Sequence, residues 1–285
     1  MKRLLVVLGA IPIALSAWAD NCHVVYQEDT KRGAKTNGVT VLDRCMKNAS
    51  FVSHGVWLYQ VRQIAFADSA TGKNVKGALD IWTDGVFGFL RYGEAGFVEL
   101  HYEADGKEYG LFDEAAPRCT ILENDAPTAR VRLDYSSPRL TGAFTFSYHV
   151  LDRKLILEVE LSPKTRIGRY ELRFFTPAPD AVIAGQRTLT PEKAQDDVAL
   201  DPATEYRIII DRKGPPRNGL VGPCALVAMP GQAQTCVVNV WQGQVRFAYG
   251  QNVPEKLTFL FYDQRKDRQA GLEYLKKIEV RKPGP

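Results

Sequence analysis

The residues most suited to chemistry gather at Glu99-x-His101-x-Glu103. In an extended chain alternate side chains share a face, so this spacing sets one imidazole between two carboxylates on one side of a strand. A histidine so flanked can work as a general acid or base. The same groups could supply two or three ligands to a metal ion. They also suit the plain solvent face of an antiparallel sheet, which carries charged residues for solubility alone. The reading carried forward is an acid–base site on His101, Glu99 and Glu103, with no metal and no cofactor.

Other side chains could hold a ligand. Arg130 and Arg132 project from one face together with Asp134. Their fork-shaped donors match carboxylates, which makes uronic acids natural ligands. Glu171 and Arg173 form a similar pair, and His149 sits on the polar side of its segment beside Thr145 and Ser147. Trp57, Trp82, Trp241, Tyr92 and Tyr135 have apolar faces able to stack on sugar rings. Trp82-Thr83-Asp84-Gly85 is favoured among them, because a tryptophan beside a turn is readily presented to a ligand. Trp82, Asp84, Tyr92, Arg130, Arg132 and His149 are thus the expected substrate contacts. His54 precedes Gly55 and Trp57 and could line a sheet mouth, whereas His23, near the mature terminus, is incidental. There is no G-x-S-x-G, P-loop, G-x-G-x-x-G or H-E-x-x-H motif.

The elements that position these groups read as strand after strand. Residues 97–104 alternate cleanly, with Val98, Leu100, Tyr102 and Ala104 on the apolar side, and Asp105-Gly106 supplies a two-residue hairpin turn into 107–112. Alternation recurs at 129–135, 144–150 and 154–161. Further β-rich segments fall at 56–66, 78–82, 87–92, 170–175, 206–211, 220–229, 235–241, 245–249 and 256–262. Only 267–277 has helical spacing, through Leu272 and Leu275, with a possible single turn at 191–196. Residues 177–202 are polar and carry four prolines, which predicts a long surface loop. The fold class is all-β: a large antiparallel two-sheet sandwich over residues 20–285, with a short C-terminal helix.

Residues 121–133, Ile-Leu-Glu-Asn-Asp-Ala-Pro-Thr-Ala-Arg-Val-Arg-Leu, resemble a strand entry of the galactose-mutarotase-like β-supersandwich superfamily. Ala126-Pro127 stands where that phrase usually has Gly-Pro. The superfamily occurs in aldose epimerases, polysaccharide lyases and parts of several glycoside hydrolases. The resemblance implies a sugar-binding concave sheet face bearing His, Glu, Asp, Arg and aromatic residues. No motif here fixes which residues would be the acid and the base.

The chain has 285 residues, of which 45% are hydrophobic and 25% charged. These are globular proportions, excluding wholesale disorder and coiled coil. Met1-Lys2-Arg3, an apolar run over 4–15 and Ser16-Ala17-Trp18-Ala19 predict a signal peptide cut after Ala19. The mature protein is expected in the periplasm or secreted, with no transmembrane segment. The formal net charge is +4, or +2 without Lys2 and Arg3, too small to imply nucleic-acid binding. An oxidising compartment permits disulfides. Cys224 and Cys236 flank Pro230-Gly231 almost symmetrically and are expected to pair across a hairpin, with Cys22–Cys45 as a second bridge and Cys119 left as a thiol. No C-x-x-C occurs.

The functional expectation is an exported protein that binds or acts on an oligo- or polysaccharide, including acidic ones. As an enzyme it would be a lyase or epimerase using His and carboxylate groups. The alternative is a non-catalytic periplasmic binding module or an envelope-associated accessory protein.

Overall fold

The computed structural model describes residues 21–53, 56–83, 97–149, 154–176, 179–192, 196–211, 223–262 and 267–280. Asp84 and Tyr92 lie outside these residues, as do His54 and the segments 1–20 and 87–92. The side chains of Trp57 and Trp82 are likewise not described.

In chain order the elements are β1 (Cys22–Asn37), β2 (Thr40–Ser53), β3 (Val56–Asp68), β4 (Asn74–Thr83), β5 (Val98–Ala104) and β6 (Lys107–Gly110). A single helical turn, α1 (Leu111–Glu114), follows, then β7 (Arg118–Glu123), β8 (Thr128–Ser136), β9 (Leu140–His149), β10 (Lys154–Pro163) and β11 (Arg169–Phe175). Short strands β12 (Ala181–Ala184), β13 (Arg187–Leu189), β14 (Asp197–Leu200) and β15 (Arg207–Asp211) come next. The chain closes with β16 (Cys224–Ala228), β17 (Thr235–Asn239), β18 (Gln244–Tyr249), β19 (Leu257–Tyr262) and α2 (Arg268–Lys276).

Two antiparallel sheets result. Sheet I runs β1-β2-β3-β4-β5-β11-β18-β17-β14, with β6 also paired to β5, and sheet II runs β13-β12-β15-β16-β19-β10-β9-β8-β7. Alternation decides which residues face inward. On β8, Ala129, Val131, Leu133 and Tyr135 are buried while the residues between them are partly exposed. On β5, Val98, Leu100, Tyr102 and Ala104 turn inward in the same way. The inward faces meet in one aromatic-rich core, where Phe174 lies 4.7 Å from Phe259 and Phe97 lies 5.0 Å from Phe261, ring centre to ring centre. Burying each such ring contributes about 1.5–3 kcal/mol.

The helix α2 caps itself through the Asp267 side chain, which accepts from the Ala270 amide at 2.9 Å. It lays Leu272 and Leu275 on the outer face of sheet II, against Ile209, Ala225 and Val227. Arg268 grips the buried Asp211 at 2.8 and 2.5 Å and pins the start of the helix.

Three expectations are corrected. All five cysteines are free thiols. Pro230-Gly231 carries the chain from sheet II to sheet I instead of folding it back, so β16 and β17 lie in different layers. Cys236 comes just after that crossing, whereas Cys224 lies at the far end of β16, roughly 13 Å along the strand. Cys22 pairs in register with Ser53 and Cys45 with Thr30, which separates them by roughly 26 Å of strand. Burial pushes the Cys236 thiol up to about 12 and those of Cys22 and Cys119 up to about 11, so none of these three is an activated nucleophile.

Second, residues 177–202 are not one loop, because β12, β13 and β14 lie within them. Strands of three or four residues show too few alternations to announce themselves. Third, the segment after the Asp105-Gly106 turn stops extending at Gly110 and becomes α1. The turn itself forms as expected, with both residues at positive φ.

Candidate functional site

The site begins at a fault in sheet I. Along one edge of β5 the partner changes. Leu79 of β4 pairs with Val98 alone, and from His101 onward the partner is β6. The helical turn α1 wedges into the opening beside β4. Gly77 makes this possible, since a Cβ there would sit 2.0 Å from the Phe112 carbonyl oxygen. The Gly77 amide donates to Asp113 at 3.0 Å, and the Asn74 side chain donates to the carbonyls of Phe112 and Asp113 at 3.0 and 2.9 Å. Beneath the wedge, Glu114 accepts from Arg139 at 2.6 Å and from the Tyr102 hydroxyl.

His101 stands at this fault on the outer face of sheet I. Its neighbour on β6 is Gly110, which has no side chain, and its neighbour on β11 is Glu171. Glu99 faces Nε2 at 3.1 Å, and Glu108 faces Nδ1 at 2.9 Å. The Glu99 contact has hydrogen-bond geometry, whereas the Glu108 contact is an ion pair when the ring carries both protons. Arg173 extends the lattice, donating to Glu171 at 2.6 Å and to Glu108 at 3.1 Å. Partial burial draws the Arg173 guanidinium down, but Glu171, Glu108 and Glu99 together hold it above its usual value. Arg169 also donates to Glu171, at 2.5 Å.

Two hollows of about 350 and 340 Å³ adjoin His101. The first is lined by Glu103, Glu108, Arg169, Glu171 and Arg173, the second by Glu99, Lys76, Gly77 and Asp113. The expected trio is therefore found on one face, with Glu99 engaged by His101 and Glu103 exposed in the first hollow. No group of three or more His, Cys, Asp or Glu side chains is arranged to hold a metal ion among the described residues. Sequence reasoning placed Glu171 and Arg173 as a pair but missed Glu108, which reaches His101 from the next strand. The Asp105-Gly106 turn was the available signal, because it sets Glu103 opposite Glu108.

Of the expected substrate contacts, the three whose side chains are described do not join this site. Arg130, Arg132 and His149 lie on β8 and β9, on the outer face of sheet II, across the sandwich from His101. Arg132 is bound to Asp134 at 2.7 Å and Glu160 at 3.1 Å, and Asp134 foremost keeps its guanidinium above the usual value. Arg130 donates to Ser147 at 3.3 Å and approaches Glu158 at 3.7 Å. Tyr135 is wholly buried and packs at a tilt against Phe112 in the core, so it offers no platform. Trp241 is exposed beside the β17–β18 turn.

Comparison with solved structures gives an alpha-mannosidase from Enterococcus faecalis V583 at 9% identity and TM-score 0.47, aligned over 90% of this chain and 40% of that one. A protein titled "putative aldose 1-epimerase", from Klebsiella pneumoniae subsp. pneumoniae MGH 78578, matches at 12% identity and TM-score 0.47 over 91% of this chain and 94% of that one. Slr1438 protein from Synechocystis sp. PCC 6803 matches at 10% identity and TM-score 0.36, over 83% of this chain and 96% of that one. The chain thus spans about two fifths of the mannosidase's length. At these scores the likeness lies in the β layout and reaches no residue of the site. No protein family and no curated protein sequence matches the chain.

Proposed function

We propose that this protein binds a neutral oligosaccharide across the outer face of sheet I, with His101 at the centre of the contact, and that it does so outside the cytoplasm after loss of residues 1–19. One observation carries the reading: His101 is fixed between Glu99 and Glu108 at the rim shared by two hollows. Fixed donors and acceptors alternating over a few ångströms suit a ligand whose every hydroxyl both donates and accepts. An acidic sugar fits less well. Arg169 and Arg173 are already held by carboxylates of the same face, and a uronate would have to displace them.

Binding without turnover is the better-supported form, because His101 uses both ring nitrogens in its own lattice. The catalytic reading rests on Glu103, which lines the first hollow and could take a proton while His101 returns one. A panel of neutral and uronate-containing oligosaccharides, titrated calorimetrically against wild type and His101→Ala, tests both. The expected result is binding of a neutral member, weakened about tenfold or more by the substitution. Absence of binding to every member overturns the proposal. Proton-exchange spectroscopy of the bound sugar decides turnover, since anomer interconversion or an unsaturated product would establish the catalytic form.

A further inference from the structure

β1 is the outermost strand of sheet I, 16 residues long and exposed at nearly every position from Val25 onward. Beyond Cys22, His23 and Val24, which touch residues 124–126, its outer edge pairs with no other strand among the described residues. A bare edge of this length is a template for another strand. Its sequence says which one. Residues 28–32 read Glu-Asp-Thr-Lys-Arg. Laid antiparallel on a copy of itself about Thr30, Glu28 falls opposite Arg32 and Asp29 opposite Lys31. Directly opposed residues share a face, so acid meets base on both faces of the new pair.

Two further observations favour a second copy. Within the hairpin, Lys31 stands in register with Arg44, a like charge, while Arg44 reaches Asp29 at 3.3 Å. Lys31 thus has a like charge as its cross-strand neighbour, and Asp29, the acid on its own face, is already engaged by Arg44. At the same side of the sandwich, β7 is the edge of sheet II, and exposed large apolar side chains occur on both edges: Val25 and Tyr26 on β1, Ile121 and Leu122 on β7. The β7–β8 turn touches the start of β1 through Val24 and Asn124, at 2.6 Å. The two edges thus offer charge from one layer and apolar surface from the other.

We infer that two copies of this chain associate through β1 about a two-fold axis at Thr30, merging their first sheets into one. The register with β2 shifts between Lys31 and Lys35, where Gly33 has a φ of +58°. The straight edge ends there, so the strand pairing is short and the dimer weak and concentration-dependent. The axis stands perpendicular to the merged sheet, so both His101 faces look the same way.

Sedimentation velocity across micromolar to millimolar concentrations tests this, with melting curves as a control for folding. Wild type should move from monomer to dimer. Lys31→Glu sets acid against Asp29 of the other copy and should leave monomer throughout. Asp29→Lys combined with Lys31→Glu restores the opposition of charge and should recover the dimer. A wild type that stays monomeric, a Lys31→Glu protein that still dimerises, or a folded double variant that does not recover would each overturn the inference. None of these outcomes depends on saccharide binding at His101.

Discussion

On the outer face of sheet II, Arg132 is bound by Asp134 and Glu160, Lys256 by Glu158 at 3.1 Å, and α2 covers the strands beyond. On the outer face of sheet I, His101 and Arg173 are bound by Glu99, Glu108 and Glu171 in much the same style. Both lattices follow from alternation, which leaves polar side chains on whatever face the core does not claim. The difference lies in the backbone below. The β8–β9–β10 ladder pairs residue by residue without interruption. The β4–β5 ladder holds at one residue pair and then gives way to β6 and the α1 wedge. Charge on a continuous ladder makes a flat, self-neutralised surface. The same charge at a break in the ladder surrounds space.

The strongest way to break this contrast is to close the fault. Gly77→Val drives a side chain into the Phe112 carbonyl and should destabilise the fold by about 3 kcal/mol in urea titration. Ser147→Val, on the uninterrupted ladder of sheet II, removes only one acceptor of Arg130 and should cost about 1 kcal/mol. Equal effects would mean that the wedge is not a close-packed element.

A smaller effect separates the two lattices by ligand. Arg173→Ala should weaken oligosaccharide affinity about tenfold, because Glu171 and Glu108 lose the guanidinium that ties them together. Arg132→Ala should leave affinity within about twofold. A titration in which both substitutions act alike would erase the distinction between the faces.

The smallest effect concerns acid. Burial pushes the Asp197 carboxyl up, but hydrogen bonds from Asn239 and Arg246 outweigh it and hold the group below its ordinary value. Its contribution is therefore fully present above about pH 3.9 and disappears as pH falls through the lower folded value. With this side chain nearly half exposed, the effect should stay below about 1 kcal/mol. Asp197→Asn should lower stability at pH 7 by less than about 1 kcal/mol and flatten the profile below pH 4, where wild type and variant converge, as chemical denaturation at each pH would show.

Burial on one side made much of this readable from sequence. β5, β8 and β10 each turn four or more apolar residues inward, and their alternation is plain. The β1–β2 hairpin was not legible, because much of it is exposed on both faces and period 2 has nothing to act on. Neither was the sheet to which a strand belongs. Pro230-Gly231 signals a reversal, and a reversal within one layer looks the same in sequence as a crossing between two. That ambiguity produced the false Cys224–Cys236 bridge, and it placed Arg130 and Arg132 in one imagined hollow with His101. Local pattern fixes which way a side chain points relative to its own strand, and long-range pairing fixes what it points at.

The position of β5 between β4 and β11 has a kinetic consequence. Its ladder with β11 joins residues 98–103 to 169–174, and sheet II waits on β19 to link β10 with β16. Contacts this distant in the chain require large loops to close before any ladder energy is gained. A growing polypeptide thus emerges with β1–β5 exposed and unlayered for much of its synthesis. Folding should be slow and late, and a holdase that shields those early strands would raise the yield of native protein.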